Sequence, residues 1–188
     1  MVESLDIGRS VEANKERVFG IFLFVINEEN EVLVFQNDHT KEKTQKIRGQ
    51  LTLPAETIEP GESIADSTSR TIVEEVGSIK DPKPKFRGTI QLNTPLALID
   101  LICLEMRVNS SEIIVNPQDK DELSLPQWVF LEDIDEREMI VGGMRVPLFR
   151  TPIPEFANNI LKAGRGERFP LVQRVSSELP AQLFHPQR

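Results

Sequence analysis

The stretch VFGIFLFVI (18–26) is apolar on both alternating sets of positions, which predicts a strand covered on its two faces. The polar tetrad NEEN follows, then EVLVFQN (31–37), so the pattern is a hairpin. NDHTKEKTQKIRGQ (37–50) reads as a polar loop carrying Lys41, Lys43, Lys46 and Arg48. LTLPA (51–55) reads as a short strand stopped by Pro54. A turn over EPGES leads to Ser63 and Asp66, which form a capping-box-like start. The predicted helix runs from about Ile64 to Val76, with Gly77 placed to end it. After the stiff connection KDPKP (80–84), KFRGTIQLN (85–93) and LALIDLICLEMRV (96–108) predict two strands joined through Asn93–Thr94–Pro95. NPQDKDELSLP (116–126) reads as a polar loop, QWVFLEDI (127–134) as a strand entering an acidic turn, and IPEFANNILKAG (153–164) as a helix ended by Gly164. Residues 165–188 show no period and read as an arm or a packed tail. The order β-β-β-α-β-β-β-α alternates too irregularly for a doubly wound sheet, and no glycine-rich dinucleotide turn occurs. A mixed sheet with helices on its faces fits best.

With 188 residues, the chain is sized for one domain with a core of its own. Its net charge of −8 argues against dedicated nucleic-acid binding, which needs clustered Lys and Arg. Phosphate ligands stay compatible with that charge, because a divalent cation can reverse it locally. The single Cys103 rules out an internal disulfide and fits a reducing, cytoplasmic location. MVESLDIGRS does not read as a signal peptide, and the longest apolar runs are too short to span a bilayer as helices.

The chemistry concentrates in PAETIEPGESIADSTSRTIVEEVGS (54–78). Residues three and four apart on a helix share a face, so Ser67, Thr71, Glu74 and Glu75 are expected to project to one side. Two adjacent carboxylates repel unless a cation lies between them. Mg²⁺ suits such a place, since it takes one or two carboxylates and keeps water and substrate phosphate oxygens as its other ligands. Arg70 lies one turn before Glu74, at ion-pair spacing.

The segment resembles the signature of the Nudix hydrolase family: Gly, five residues, Glu, seven residues, Arg-Glu, an apolar residue, any residue, Glu-Glu, any residue, Gly, an apolar residue. Glu62, Arg70, Ile72, Glu74-Glu75 and Gly77 fall in register without a gap. Leu53-Pro54 before the box, the turn 58–63, and Asp121-Glu122, Trp128 and Glu132-Asp133 after it agree as well. The resemblance covers about residues 17–163. It implies a Nudix-like α/β/α sandwich with a mixed β-sheet over 1–164, followed by a tail or arm, 165–188. It also implies Mg²⁺- or Mn²⁺-dependent cleavage of the pyrophosphate linkage in a nucleoside diphosphate derivative, such as ADP-ribose or a nucleotide sugar. Its partner would be a small-molecule nucleotide derivative, with no nucleic acid and no membrane, and the habit of many relatives implies a homodimer.

Three positions depart from the signature: Glu56 replaces its glycine, Thr71 its glutamate after the arginine, and Ser78 its last apolar residue; Ala55 also stands where a glycine is common. A threonine hydroxyl is a weak, neutral ligand and a poor base. Two accounts follow. In one, Glu56 turns its carboxylate into the site and replaces the acid missing at 71. The metal set is then Glu56, Glu74, Glu75 and Glu122 from the loop, the catalytic set is Glu74, Glu75 and Arg70, and Lys46 and Arg48 meet substrate phosphates. In the other, the fold binds a nucleotide or a protein without cleaving it. Asp100, inside an apolar strand, requires a buried partner and reads as structural. Cys103 and Trp128 read as packing, and His39 and His185 lack a metal-ligand spacing.

Overall fold

The computed structural model describes residues 15–118 and 123–185. Strand β1 (Glu16–Ile26) is buried from Gly20 onward, as its unbroken apolar pattern requires. It turns through Asn27 and Asn30 into β2 (Glu31–Asn37). The predicted strand 51–55 is divided in two: β3 (Leu51–Thr52) and β4 (Ala55–Thr57). Pro54, with no N–H to give to a ladder, stands at the break, and its carbonyl accepts from Leu23 N. Helix α1 (Ile64–Thr71) opens on Ser63, whose Oγ accepts from Asp66 N at 3.1 Å and donates to the Asp66 carboxylate at 2.7 Å. It continues as a π-helical turn over Ile72–Val76 and stops at Gly77, φ 127°. A Cβ at Gly77 would run into Ile114 O and lie 2.6 Å from Asn116 N, so only glycine closes this turn.

Then come β5 (Gly77–Ile79), β6 (Lys85–Asn93), β7 (Ala97–Arg107), β8 (Ile113–Val115), β9 (Leu123–Phe130), β10 (Glu138–Val141), β11 (Met144–Pro147), helix α2 (Ile153–Gly164) and β12 (Val172–Ser176). The main sheet has the order β12-β6-β7-β1-β2-β3, with β4 on β1 and β9 on β2. The pairs β1/β7 and β12/β6 are parallel and the others antiparallel, which makes the sheet mixed.

Alternation along β1 builds the three layers. Phe22, Phe24 and Ile26 enter a core with Phe149, Phe156 and Ile160 on the α2 side. Leu23 and Val25 enter a second core with Ile72 and Val76 on the α1 side. The interior of β6 and β7 also carries charge. Asp100 accepts from Arg17 at 2.7 Å and Gln91 at 3.0 Å, so this buried carboxylate is a paired structural group. Cys103 is fully buried in the first core and Trp128 packs on the second.

Two elements differ from the pattern-based expectation. β9 begins at Leu123 rather than 127, because Leu123 is buried against the second core. A register shift opposite Val34 and Gln36, with Leu125 at φ 50°, lets Pro126 sit inside the strand. Within 165–185, Val172–Ser176 adds an edge strand along β6, pairing Val172 with Thr89.

Candidate active site

The polar face of α1 sets the geometry. Ser67, Thr68 and Thr71 are buried against the sheet, where larger apolar residues are the usual choice. Thr68 Oγ1 donates to Ile64 O at 2.6 Å and Thr71 Oγ1 to Ser67 O at 2.8 Å, so both hydroxyls are used within the helix. Such back-bonding bends helices, and the helix passes from here into the wider π turn. Beyond it, the expected single face divides. Ser67, Thr71 and Glu75 point inward, with Glu75 only 3% exposed, while Glu74 turns to the solvent side with Arg70.

Arg70 is the centre of the acidic wall. Its Nε and Nη2 donate to the two Glu62 oxygens, each at 3.1 Å. Nη2 also donates to Thr57 O at 2.8 Å. Nη1 faces Glu56 Oε2 at 3.0 Å and Glu74 Oε2 at 3.5 Å. The guanidinium is held protonated, chiefly by the Glu62 hydrogen bonds, against some loss of hydration and with help from Glu56. Glu62 is in turn held ionised below the ordinary carboxylate range by Arg70 and by the Glu59 N–H. The Glu75 carboxylate accepts the Ala55 N–H through a short hydrogen bond and so ties the π turn to the start of β4.

Part of this cluster borders a cleft of about 370 Å³. Glu56, Arg70 and Glu74 form one side, and Val18, Gly20, Ile99 and Leu101 give an apolar base. Lys41 and Lys46 enter from the loop after β2, and Arg150 from the residues after β11. Gly20 allows the close passage of β4, since a Cβ there would lie 3.0 Å from Glu56 O. Arg150 is 4% exposed, with its guanidinium 5.2 Å above the Phe22 ring and Nη2 donating to Thr44 O at 3.3 Å.

Of the residues expected from the sequence, Glu56, Arg70, Glu74 and Lys46 meet at this cleft. Glu75 lies behind it under β4, Arg48 is exposed and does not line it, and Glu122 lies outside the described residues. Lys41 was among the loop cations named in the sequence. Arg150 was not, although a cation between the apolar pairs of VPLFRTPI is a signal for a buried, partnered charge. Among the described residues, no three His, Cys, Asp or Glu side chains are arranged to hold a metal ion. The pair Glu56 and Glu74, sharing one guanidinium nitrogen, does fit Mg²⁺ or Mn²⁺ of the kind held by one or two carboxylates and completed by water and phosphate oxygens.

A NUDIX domain model matches residues 16–149, and the chain therefore belongs to the Nudix family. Among solved structures, the fold is similar to that of the MutT protein from Methanosarcina mazei Go1, at TM-score 0.61 and 19% identity, covering 81% of this chain and 98% of that one. A NUDIX hydrolase from Nitrosomonas europaea is similar at TM-score 0.56 and 19% identity, covering 83% and 94%. A UDP-X diphosphatase is similar at TM-score 0.54 and 12% identity, covering 92% and 76%. No curated protein matches the sequence. Among the described residues, no helix is long and apolar enough to cross a membrane.

Proposed function

We propose that this chain is a metal-dependent Nudix hydrolase that cleaves the pyrophosphate linkage of a nucleoside diphosphate derivative by attack of water on phosphorus. The observation that carries the reading is the polarity of one cleft. A carboxylate pair, Glu56 and Glu74, lines the same cleft as Lys41, Lys46 and Arg150, together with the apolar Val18, Ile99 and Leu101. Glu56 and Glu74 would hold Mg²⁺ or Mn²⁺, with Glu56 standing in for the acid replaced by Thr71. Bound there, the cation supplies polarisation of a phosphoryl oxygen and a lower pKa for the attacking water. Glu75 holds the β4 backbone in place through the Ala55 N–H. Arg70 orients the carboxylates, and the loop lysines meet the phosphates.

A specific observation favours a second reading, a nucleotide-binding module without turnover. Thr71 spends its hydroxyl on Ser67 O, and both cleft carboxylates are already directed at Arg70. The test is a panel of ADP-ribose, NAD, NADH, dinucleoside polyphosphates, nucleotide sugars (UDP-linked ones included) and NTPs. Each is incubated with Mg²⁺, Mn²⁺ or EDTA, and the products are measured. Metal-dependent turnover that disappears in Glu74→Gln and falls in Glu56→Ala supports the hydrolase. A folded protein inert on every member supports the binding module.

A further inference from the structure

We propose that the nucleoside diphosphate taken by this cleft carries an apolar group on its distal phosphate, and that this group lies on Phe19, Ile58, Pro60, Ile64 and Ile102 in an adjoining hollow. The inference rests on the reading above in taking the cleft as the place of the diphosphate. The second hollow is the larger, at about 600 Å³ against about 370 Å³. Successive side chains of a strand alternate, so Val18 points toward the first core and Phe19 toward the opposite face of β1. β4 pairs with β1 at Gly20, Ile21 and Phe22, and the Ile58 N–H reaches Phe19 O at 2.9 Å. The chain then turns, with the Glu62 N–H on Glu59 O at 3.0 Å, while β1 continues back to Glu16. Here the two hollows meet: Val18, Thr44 and Thr57 line both.

The lining suits hydrocarbon better than a sugar or a base. Phe19 and Ile64 are each 48% exposed, and with Ile58, Pro60 and Ile102 they make one apolar surface rather than scattered contacts with water. The two cations beside it are already paired. Arg17 donates to Asp100 at 2.7 Å and lies 5.3 Å above the Phe19 ring, and Lys43 donates to Glu16 at 2.6 Å. A sugar or a base placed here gives up bonds to water and finds few in return, whereas a hydrocarbon group loses none. The walls are also fixed before a ligand arrives. The Lys43 carbonyl accepts from Thr94 Oγ1 at 3.0 Å and the Thr44 carbonyl from Arg150 at 3.3 Å, and Ser63 caps the helix that Ile64 begins. Phe19 and Ile64 do not line the cleft itself, so they act on the choice of distal group and not on the reacting phosphorus.

The experiment is titration calorimetry of the full chain, in Mg²⁺, with methyl, butyl and octyl esters of adenosine and uridine diphosphate. A methylene group replaces the bridging oxygen, so the esters bind without being cleaved, and the matching ADP-ribose analogue is the comparison. The oxygen-bridged esters and ADP-ribose are assayed for turnover alongside. The expected result, on at least one nucleoside, is an affinity that rises about tenfold from methyl to butyl, rises again to octyl, and exceeds that of the ADP-ribose analogue. Phe19→Thr and Ile64→Gln change exposed positions, and each should flatten that rise while the melting temperature shows the fold intact. Affinity independent of chain length on both nucleosides, or no binding at all, overturns the proposal. So does a rise of the same size in both folded variants. A dimer in solution that falls to a monomer in Phe19→Thr, with no chain-length dependence, gives the surface to a second copy of the chain and overturns it as well. A rise in affinity with no turnover of any ester leaves this inference standing and removes the hydrolase reading. Metal-dependent turnover of ADP-ribose with no dependence on chain length does the reverse.

Discussion

Arg70 Nη1 lies 3.0 Å from Glu56 Oε2, so the arginine of the signature holds the carboxylate that stands where the signature has glycine. The same side chain also holds Glu62, Glu74 and the Thr57 carbonyl. Arg70→Met removes the shared cation and leaves three carboxylates close together. The expected loss of stability is about 1 kcal/mol, the scale of a partly exposed ion network screened by solvent. Mg²⁺ should then raise the melting temperature of the variant more than that of the wild type, since carboxylates without their guanidinium gain most from a divalent cation. Equal Mg²⁺ shifts in both proteins would show that Arg70 does not compete for that position.

Acid stability should report the same cluster. Glu62 has its folded pKa depressed below 4.5, first by the hydrogen bond from Arg70 and then by the Glu59 N–H. A depressed carboxylate binds protons less readily folded than unfolded. Its contribution is therefore present above the unfolded pKa and is lost as pH falls through the folded one. Denaturation midpoints should fall as pH drops below about 4.5, and Glu62→Gln should flatten that slope. A slope identical in both proteins would place the acid sensitivity elsewhere.

Putting the signature glutamate at 71 should not raise turnover. Thr71 has no exposed surface, and its hydroxyl donates to Ser67 O at 2.8 Å. A Glu side chain there must either bury a carboxylate or push α1 off the sheet, at about 3 kcal/mol. Thr71→Val, which removes one hydrogen bond and keeps the shape, should cost about 1 kcal/mol. Melting curves and turnover of both variants check this. A stable, faster Thr71→Glu would show that the helix can rotate its inner face into the cleft.

These residues also show why the site was only half legible. β1, β2, β6, β7 and α2 follow from apolar runs and alternation, since burial on one or two faces leaves a periodic mark. β12 leaves little trace, because VQRVS is a short edge strand whose side chains are mostly exposed or half-buried. The spacing from Glu62 to Gly77 located the box, and helical arithmetic put Glu74 and Glu75 on one face. The π turn parts them, and the burial that goes with it is a tertiary matter: Ser67, Thr68 and Thr71 are inside because the helix packs on β1 and β4. Arg150 comes to the cleft from more than a hundred residues beyond Lys46, a juxtaposition that no local pattern carries.

The C-terminal segment should set substrate affinity through the loop it holds. Gln45, 3% exposed and at φ 52°, accepts the Leu179 N–H on Oε1 at 2.7 Å and donates from Nε2 to Glu42 O at 2.8 Å. His185 Nε2 lies 2.9 Å from the Glu42 carboxylate, a second tie between the same two segments. Residues 179–185 thus clasp the loop that presents Lys41 and Lys46 to the cleft. Gln45→Asn tests the clasp without backbone strain, because asparagine tolerates a positive φ while its side chain is one methylene too short for both bonds. Loss of about 1 kcal/mol of positioning should raise KM about fivefold with kcat unchanged. An unchanged KM would mean that the loop keeps its geometry without the tail. A fall in kcat alone would place the loop's contribution in the chemical step instead of in holding the anion.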